Sequence, residues 1–334
     1  MWTTNAMPIH SLRSAPSDSL HIGLINNMPD GAIKSTERQF RTLLEEASGD
    51  TPVVLTLFSL PSVPRSVTAL ELMSQSHAGI EDLWGSRLDG LIVTGAEPTT
   101  ASLHDEPYWQ TLQQVFDWAD ANTYSTILSC LASHAAVLHR DGIARQPRKT
   151  KRFGLILCEK TSHHPLTASI PSWFTIPHSR WNELSSAELE RNGYRILSET
   201  VDGSPDLFIK KHNSLFVYFQ GHPEYETNSL MLEYRRDLGR FLRGEGETIP
   251  QQPENYFTSQ VAEALADLPE GTPIAFLESG IQNLWRSTAR TLYRNWLDLL
   301  LNTRKTARAI AFRPTDVLAP QAPAGIFPFR TLSL

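Results

Sequence analysis

The 334-residue chain reads as an α/β domain, a mostly parallel sheet flanked by helices with an inserted smaller region. Three observations predict it. Short apolar runs alternate with amphipathic segments of helical period, the signature of strand–helix–strand units. The runs are nearly continuous in apolar residues, as strands buried on both faces are. Two of them end in chemistry-bearing residues, Cys130 and His222-Pro223-Glu224, where open α/β sheets place their ligands.

The elements follow in order. His21-Ile22-Gly23-Leu24-Ile25-Asn26 is the first buried strand, closed by the turn Asn27-Met28-Pro29-Asp30-Gly31. Residues 34–46 form a helix, with Phe40, Leu43 and Leu44 at helical spacing and Ser35 or Thr36 available as its cap. Residues 53–57 are a second strand. Residues 89–95 are a third, ending in a loop of small residues. Residues 107–122 are an amphipathic helix whose apolar face is Trp109, Leu112, Val115, Phe116 and Trp118. The strand 126–129 delivers Cys130, and 131–139 is the helix behind it.

From 149 to 211 the pattern loosens into short strand-like pieces, an excursion from the main sheet. Leu215-Phe216-Val217-Tyr218-Phe219 then restores a β-run and delivers His222. Residues 229–242 are helical, and 244–271, rich in Gly, Pro, Glu and Gln, read as a surface connection. The last helix covers 284–301, with Trp285, Leu292, Trp296 and Leu299 apolar. Residues 1–20 are expected to be a mobile arm, 21–301 the domain, and 302–334 a proline-rich tail.

Composition excludes several function classes. A net charge of −6 without any basic run argues against nucleic acid as a partner. The only cysteines, Cys130 and Cys158, exclude a disulfide framework. No apolar segment reaches membrane-spanning length, and the first twenty residues lack a signal-peptide core. These features and a free thiol place the chain in the cytoplasm, with no membrane partner. There is no Cys-x-x-Cys, no His-Glu-x-x-His and no Gly-rich phosphate loop, so neither a metal nor a bound cofactor is expected.

Cys130, His222 and Glu224 are the parts of an activated thiol: sulfur to attack, imidazole to carry the proton, carboxylate to orient the imidazole. A cysteine opening a helix also faces the positive end of the helix dipole, which favours thiolate. A lone cysteine after an apolar strand is more often a small core residue. The pairing with a strand-end His-x-Glu puts catalysis ahead, as acyl transfer or hydrolysis through a thioester.

Ordered motifs along the chain carry a resemblance to a known family. They are Asn27-Met28-Pro29, Thr36-Glu37-x-Gln39-Phe40, Asp89-Gly90-Leu91-Ile92-Val93-Thr94-Gly95-Ala96, Tyr108-Trp109, Pro177-His178-Ser179-Arg180, Gly221-His222-Pro223-Glu224-Tyr225, Glu233-Tyr234-x-Arg236-Asp237 and Trp285-Arg286-Ser287. Over about 21–301 the chain resembles the MetA-type homoserine O-acyltransferases, as a divergent member. The resemblance implies a class I glutamine amidotransferase-like, flavodoxin-like fold and a role in methionine biosynthesis. It implies that Cys130 takes an acyl group from succinyl-CoA or acetyl-CoA, that His222 is the general base and that Glu224 supports it. Lys151, Ser179 and Arg236 fall where the family binds its amino-acid acceptor, with Arg180 beside them. An α-carboxylate suits a bidentate arginine, and Arg236 is the first candidate. Lys151 reads equally well as part of a solvated basic face. The partners implied are an acyl-CoA and a hydroxy amino acid, and a homodimer is allowed.

Two departures stand out. Where family members carry a lysine near the thioester oxyanion, this chain has Asp30-Gly31. The oxyanion then falls to backbone donors such as the Leu131 N–H, or to Lys34, the nearest lysine. The position that is glycine in succinyl-using members and glutamate in acetyl-using ones is Thr99 here, with Glu97 two residues earlier as the rival selector. The acceptor is homoserine, or serine or another hydroxy amino acid. A glutamine amidotransferase-like hydrolase is the alternative enzyme, though its usual Gly-x-Cys-x-Gly elbow is replaced by Leu128-Ser129-Cys130-Leu131-Ala132. A non-catalytic binding protein would have no need of Cys130, His222 and Glu224 together.

Overall fold

The computed structural model describes residues 18–245, 248–266 and 280–311. In chain order the strands are β1 (Leu20–Ile25), β2 (Val53–Phe58), β3 (Gly90–Val93), β4 (Ser125–Ser129), β5 (Gln146–Lys160), β6 (Trp173–Glu183), β7 (Arg195–Thr200), β8 (Pro205–Lys211) and β9 (Leu215–Phe219). The helices are α1 (Ile33–Ser48), α2 (Val67–Ser74), α3 (Ile80–Trp84), α4 (Trp109–Asn122), α5 (Leu131–Asp141), α6 (Ser186–Arg191), α7 (Ser229–Leu242), α8 (Ser259–Ala266) and α9 (Arg286–Ala311).

All nine strands form one sheet, in the order β2-β1-β3-β4-β9-β8-β7-β5-β6. From β2 to β9 every pairing is parallel, and from β9 outward every pairing is antiparallel. The parallel half is apolar on both faces because both are covered. On one face Phe40 and Leu43 of α1 pack with Tyr293 and Trp296 of α9; on the other lie Leu112 and Phe116 of α4 and Ala135 of α5. No helix among the described residues is long and apolar enough to cross a membrane.

The α/β architecture expected from the sequence is observed, and three of its details change. The stretch expected to leave the sheet at 149–211 is the antiparallel half of that sheet, β5 to β8. Its charged and small polar residues interrupt the apolar runs and mask the strand pattern. Within 244–271, expected as a surface connection, Glu254 pairs with β5 through its backbone, 2.9 Å to Phe153 O and 2.8 Å from Leu155 N, and Tyr256 is buried. The last helix runs to Ala311 rather than 301. Arg304, inside the expected tail, is buried and donates to Ser19 O (2.7 Å) and Asp89 (3.2 Å), tying α9 to the start of β1. Residues 1–17 of the expected arm and 312–334 of the expected tail lie outside the described residues.

The packing of α9 on the sheet is tight enough to select one residue. A Cβ built on Gly90 of β3 would meet Trp296 Cζ2 at 2.8 Å and Leu300 Cδ1 at 2.9 Å. Both neighbours are fully buried and have nowhere to move. Gly90→Ala is therefore expected to lower stability by about 1–3 kcal/mol through overpacking. A urea melt checks this; an unchanged midpoint would mean that α9 is free to slide on the sheet.

Candidate active site

The parallel pairing of β4 with β9 builds the site. Ser129 lies beside Phe219 in register, so the chain leaves both strands at one end of the sheet. Cys130 is the first residue past β4 and precedes α5 with φ +49° and ψ −107°, a backbone conformation that L-residues rarely adopt. Its N–H donates to Phe219 O at 2.8 Å, and Ser133 Oγ donates to both Leu128 O (2.8 Å) and Phe219 O (3.1 Å). Three hydrogen bonds thus hold the elbow open, the usual way to expose a nucleophile at a strand-to-helix turn.

Past β9, Gln220-Gly221 lead to His222. Its N–H is fixed by Pro177 O of β6 at 2.7 Å, and its Nδ1 sits 2.9 Å from Glu224 Oε1. The same carboxylate oxygen accepts from Ser129 Oγ at 3.2 Å. Gly221 is packed so closely that a Cβ there would lie 2.4 Å from Ile176 and 2.9 Å from His178 Nε2. The loop is clamped from outside by Trp285, whose indole donates to Tyr225 O at 3.0 Å. Arg38 of α1 adds a two-pronged pair with Glu226, both contacts at 2.7 Å.

Cys130 is part-exposed, whereas His222 and Glu224 are buried. Burial alone would pull the His222 pKa down. The Glu224 carboxylate and the adjoining Cys130 sulfur outweigh it by charge and hydrogen bonding, and the net direction is well up. The imidazolium is thereby stabilised within reach of the sulfur, as thiol catalysis requires. Cys158 is the opposite case: fully buried in β5, its thiol is pushed far up by burial and by Asp206.

A second cluster adjoins the first. Glu233 of α7 accepts from Ser179 Oγ at 2.6 Å and from the Tyr225 hydroxyl, and lies 3.7 Å from Lys151 Nζ. Asp237 accepts from Lys151 Nζ (3.1 Å) and Arg236 Nε (2.9 Å). Tyr225 joins the two clusters, because its ring stacks on His222 with centroids 4.3 Å apart. Lys151, Ser179 and Arg236 therefore belong to one network, and Lys151 is no solvated face residue. Glu233, Asp237 and Tyr225 complete it. They stood in the matched motifs and had no assigned role, since sequence alone does not reveal which helix face meets β5 and β6.

Arg180 is buried, with Nε 3.4 Å from His178 Nδ1, Nη1 2.9 Å from Asn182 O, and Nη2 without a partner. Burial, with repulsion from Arg152, lowers its pKa to about 10 against the opposing charge of Cys130. Its contacts are to His178 and Asn182, and it is not part of the Glu233 network.

The remaining candidates are placed as follows. Leu131 N–H opens α5 and has no helical carbonyl to donate to. The backbone at Gly95 passes so near it that a Cβ would lie 3.1 Å away. Lys34 is exposed in the first turn of α1, without a hydrogen bond or ion pair among the described residues. Asp30 is turned away, accepting from Ser66 N at 2.8 Å, and Arg65 braces the same loop by donating to Asn26 O at 3.0 Å. Thr99 donates through N–H (2.7 Å) and hydroxyl (3.0 Å) to the buried Glu106. Glu97 is exposed and pairs with Arg240 of α7 at 3.5 Å.

Known proteins share both the sequence and the fold. A family profile described as homoserine O-succinyltransferase matches residues 4–306. A homoserine O-succinyltransferase of Rhodopseudomonas palustris is 44% identical over 297 residues, 85% of this chain and 89% of the relative. One of Methylorubrum extorquens is 43% identical over 293 residues, 84% and 87% respectively. Among solved structures, one provisionally described as part of a GMP synthase from Thermoplasma acidophilum superposes with a TM-score of 0.51 at 15% identity. That match covers 87% of this chain and 98% of the other, and shows the fold alone.

The raised pKa of His222 has a measurable consequence. A group protonated more readily in the folded state adds stability that is fully present below its unfolded value of about 6.5 and is lost as pH rises through the folded value. Glu224→Gln removes the main charge that raises it. An NMR titration is expected to show the imidazole midpoint falling in this variant. Denaturation is expected to show a larger loss of stability near pH 6 than above the wild-type midpoint. An equal loss on both sides would mean that Glu224 acts on the loop and not on the imidazole charge.

Proposed function

This chain belongs to the homoserine O-succinyltransferase family, and on that premise we propose that it transfers a succinyl group from succinyl-CoA to the hydroxyl of L-homoserine, through a thioester on Cys130, as a step in methionine biosynthesis. The observation that carries the proposal is Cys130 on a strained elbow beside the His222–Glu224 pair.

In the first half-reaction His222 holds the proton of Cys130, and the sulfur adds to the carbonyl carbon of the donor thioester. The bond from that carbon to the CoA sulfur breaks, and the departing sulfur takes the proton from His222. The tetrahedral oxyanion is met by the Leu131 N–H in the gap beside Gly95. In the second half-reaction His222 takes the proton of the homoserine hydroxyl as its oxygen attacks the acyl carbon. The carbon–sulfur bond to Cys130 breaks, and the ester leaves. Glu224 balances the imidazolium in both.

The Glu233 network is the acceptor side of this reading. Arg236 is half-exposed, and Asp237 engages its Nε and Nη2, which leaves Nη1 donors for an α-carboxylate. Glu233 supplies a carboxylate for the α-ammonium, and Ser179 and Tyr225 fix its direction. For the donor, neither Thr99 nor Glu97 offers a free carboxylate: Thr99 is tied to Glu106 and Glu97 to Arg240. Neither selector leaves an unpaired carboxylate for a succinyl tail to meet, and the succinyl-transferring relatives support succinyl over acetyl.

Incubated with succinyl-CoA without acceptor, the wild type is expected to gain one succinyl mass on Cys130 by intact mass spectrometry. Cys130→Ala is expected to show no adduct and no turnover. Near-normal transfer by the alanine variant would end the thioester route.

Arg236→Lys keeps the charge but loses the planar fork. It is expected to raise the homoserine KM roughly 10- to 100-fold, the scale of a lost charge-assisted hydrogen bond, with single-turnover acylation unchanged. Collapse of acylation at constant homoserine KM would move Arg236 to the donor side.

A further inference from the structure

We infer that two side-chain bridges, His134 to Gln220 and Ser129 to Glu224, are the positioning contacts that set Cys130 against His222. This assignment rests on the reading of Cys130 and His222 as the reacting pair, and it names the residues that fix their separation.

The bridges flank the reacting groups. Ser129 immediately precedes Cys130, and its Oγ reaches the Glu224 carboxylate, just past His222, at 3.2 Å. His134 lies one turn into α5, and its Nε2 reaches Oε1 of Gln220, just before His222, at 2.6 Å. The elbow of the nucleophile and the loop of the base are thus joined on both sides. Backbone bonds carry the His134 bridge to its targets. His134 N–H returns to Cys130 O at 3.4 Å, and Gln220 N–H is held by Asp206 O of β8 at 2.8 Å. Gly221 beside it has no room even for a Cβ, so a displacement of Gln220 passes directly to His222.

Stability does not explain these bridges. His134 and Gln220 are buried, yet His134 Nδ1 and Gln220 Nε2 have no hydrogen-bond partner, and Glu224 Oε2 has none either. Each such atom costs free energy on folding, and an apolar pair of the same shape would hold the elements together at no loss. Burial, with the charge of Arg180, pulls the His134 pKa down to about 3. The imidazole is therefore neutral, and Nε2 carries the proton that Gln220 Oε1 accepts. What a polar pair adds is direction, since a hydrogen bond constrains distance and angle where an apolar contact leaves both free. Ser129 does the same for the carboxylate, gripping the Oε1 that His222 Nδ1 also uses.

The test replaces the first bridge by an apolar pair, His134→Leu with Gln220→Met. This double variant is expected to keep or raise the urea midpoint. Its kcat for succinyl transfer to homoserine is expected to fall roughly 10- to 100-fold, the scale of a misplacement of about 1 Å, with both KM values held. His134→Gln, whose amide can still meet Gln220, is expected to recover most of kcat. Ser129→Ala is expected to lower kcat roughly threefold to tenfold, the scale of one hydrogen bond.

A second readout needs no acyl group: the rate at which iodoacetamide captures Cys130 near neutral pH, followed by peptide mass so that Cys158 is scored apart. His222→Ala sets the rate without the imidazole, and the double variant is expected to fall towards it. Wild-type kcat in the double variant would overturn the assignment. So would a fall in kcat that follows a lowered urea midpoint without recovery in His134→Gln, or a rise in KM in place of the fall in kcat. Equal capture in the wild type and His222→Ala would instead defeat the Cys130–His222 pairing on which the bridges rest. Unequal capture there, with the double variant matching the wild type, would overturn the bridges alone.

Discussion

The parallel pairing of β4 with β9 is the constraint on which the rest depends. It brings together two segments ninety residues apart and ends them at the same edge of the sheet. The pairing continues one step past the strands, where Cys130 N–H takes Phe219 O. A non-glycine residue at φ +49° costs on the order of 1–3 kcal/mol, and that bond with the two from Ser133 holds it there. The strain and the site geometry have one cause: the chain must turn sharply from a buried strand into a helix while leaving its sulfur part-exposed.

The parallel half alone would bring Cys130 and His222 together but would leave the Glu233 network unbuilt. The antiparallel half supplies that. β5 and β6 carry Lys151 and Ser179 and fix the His222 backbone through Pro177 O. Helix α7, entering directly after the His222 loop, brings Glu233, Arg236 and Asp237 to them. Tyr225 spans the junction, stacked on His222 and hydrogen-bonded to Glu233. The loop that places His222 thus places the Glu233 network as well, and a shift in one is felt by the other.

The grouping of Cys130, His222 and Glu224 was legible because strand ends and short spacings survive in one dimension: Cys130 after an apolar run, Glu224 two residues from His222. Ser179 and Arg236 could be proposed as a group from the matched motifs, and Lys151 alongside them was as readily a surface charge. What could not be read was contact between elements. Glu233 had no role in the sequence, and its bond to Ser179 appears only with β6 beside it. Arg148 and Arg152 stood in a basic stretch, and their partners Glu183 and Asp202 lie far along the chain. The antiparallel strands were hidden because charged and small polar residues interrupt their apolar runs. The loop at Asp30 is the clearest case, where a missing lysine gives way to an Asp30–Ser66–Arg65 brace that serves the backbone instead.

The two cysteines show why position decides chemistry. Cys158, His178 and Asp206 bring ligand atoms within 4.8 Å of one another, all buried, a grouping that would suit a metal by residue type. Burial lowers the His178 pKa to about 4, Asp206 opposes this, and Arg180 and Arg152 add to the lowering. Burial keeps His178 neutral, and the two cations that reinforce it would also repel a metal ion. His178 and Asp206 instead form the floor against which Gly221 rests, 2.9 and 3.0 Å from where a Cβ would be. Buried among them, the Cys158 thiol holds its proton. Cys130 also lies within the field of Arg180 but is part-exposed beside His222, so the same arginine acts on a thiol sealed in the sheet and on one open to solvent.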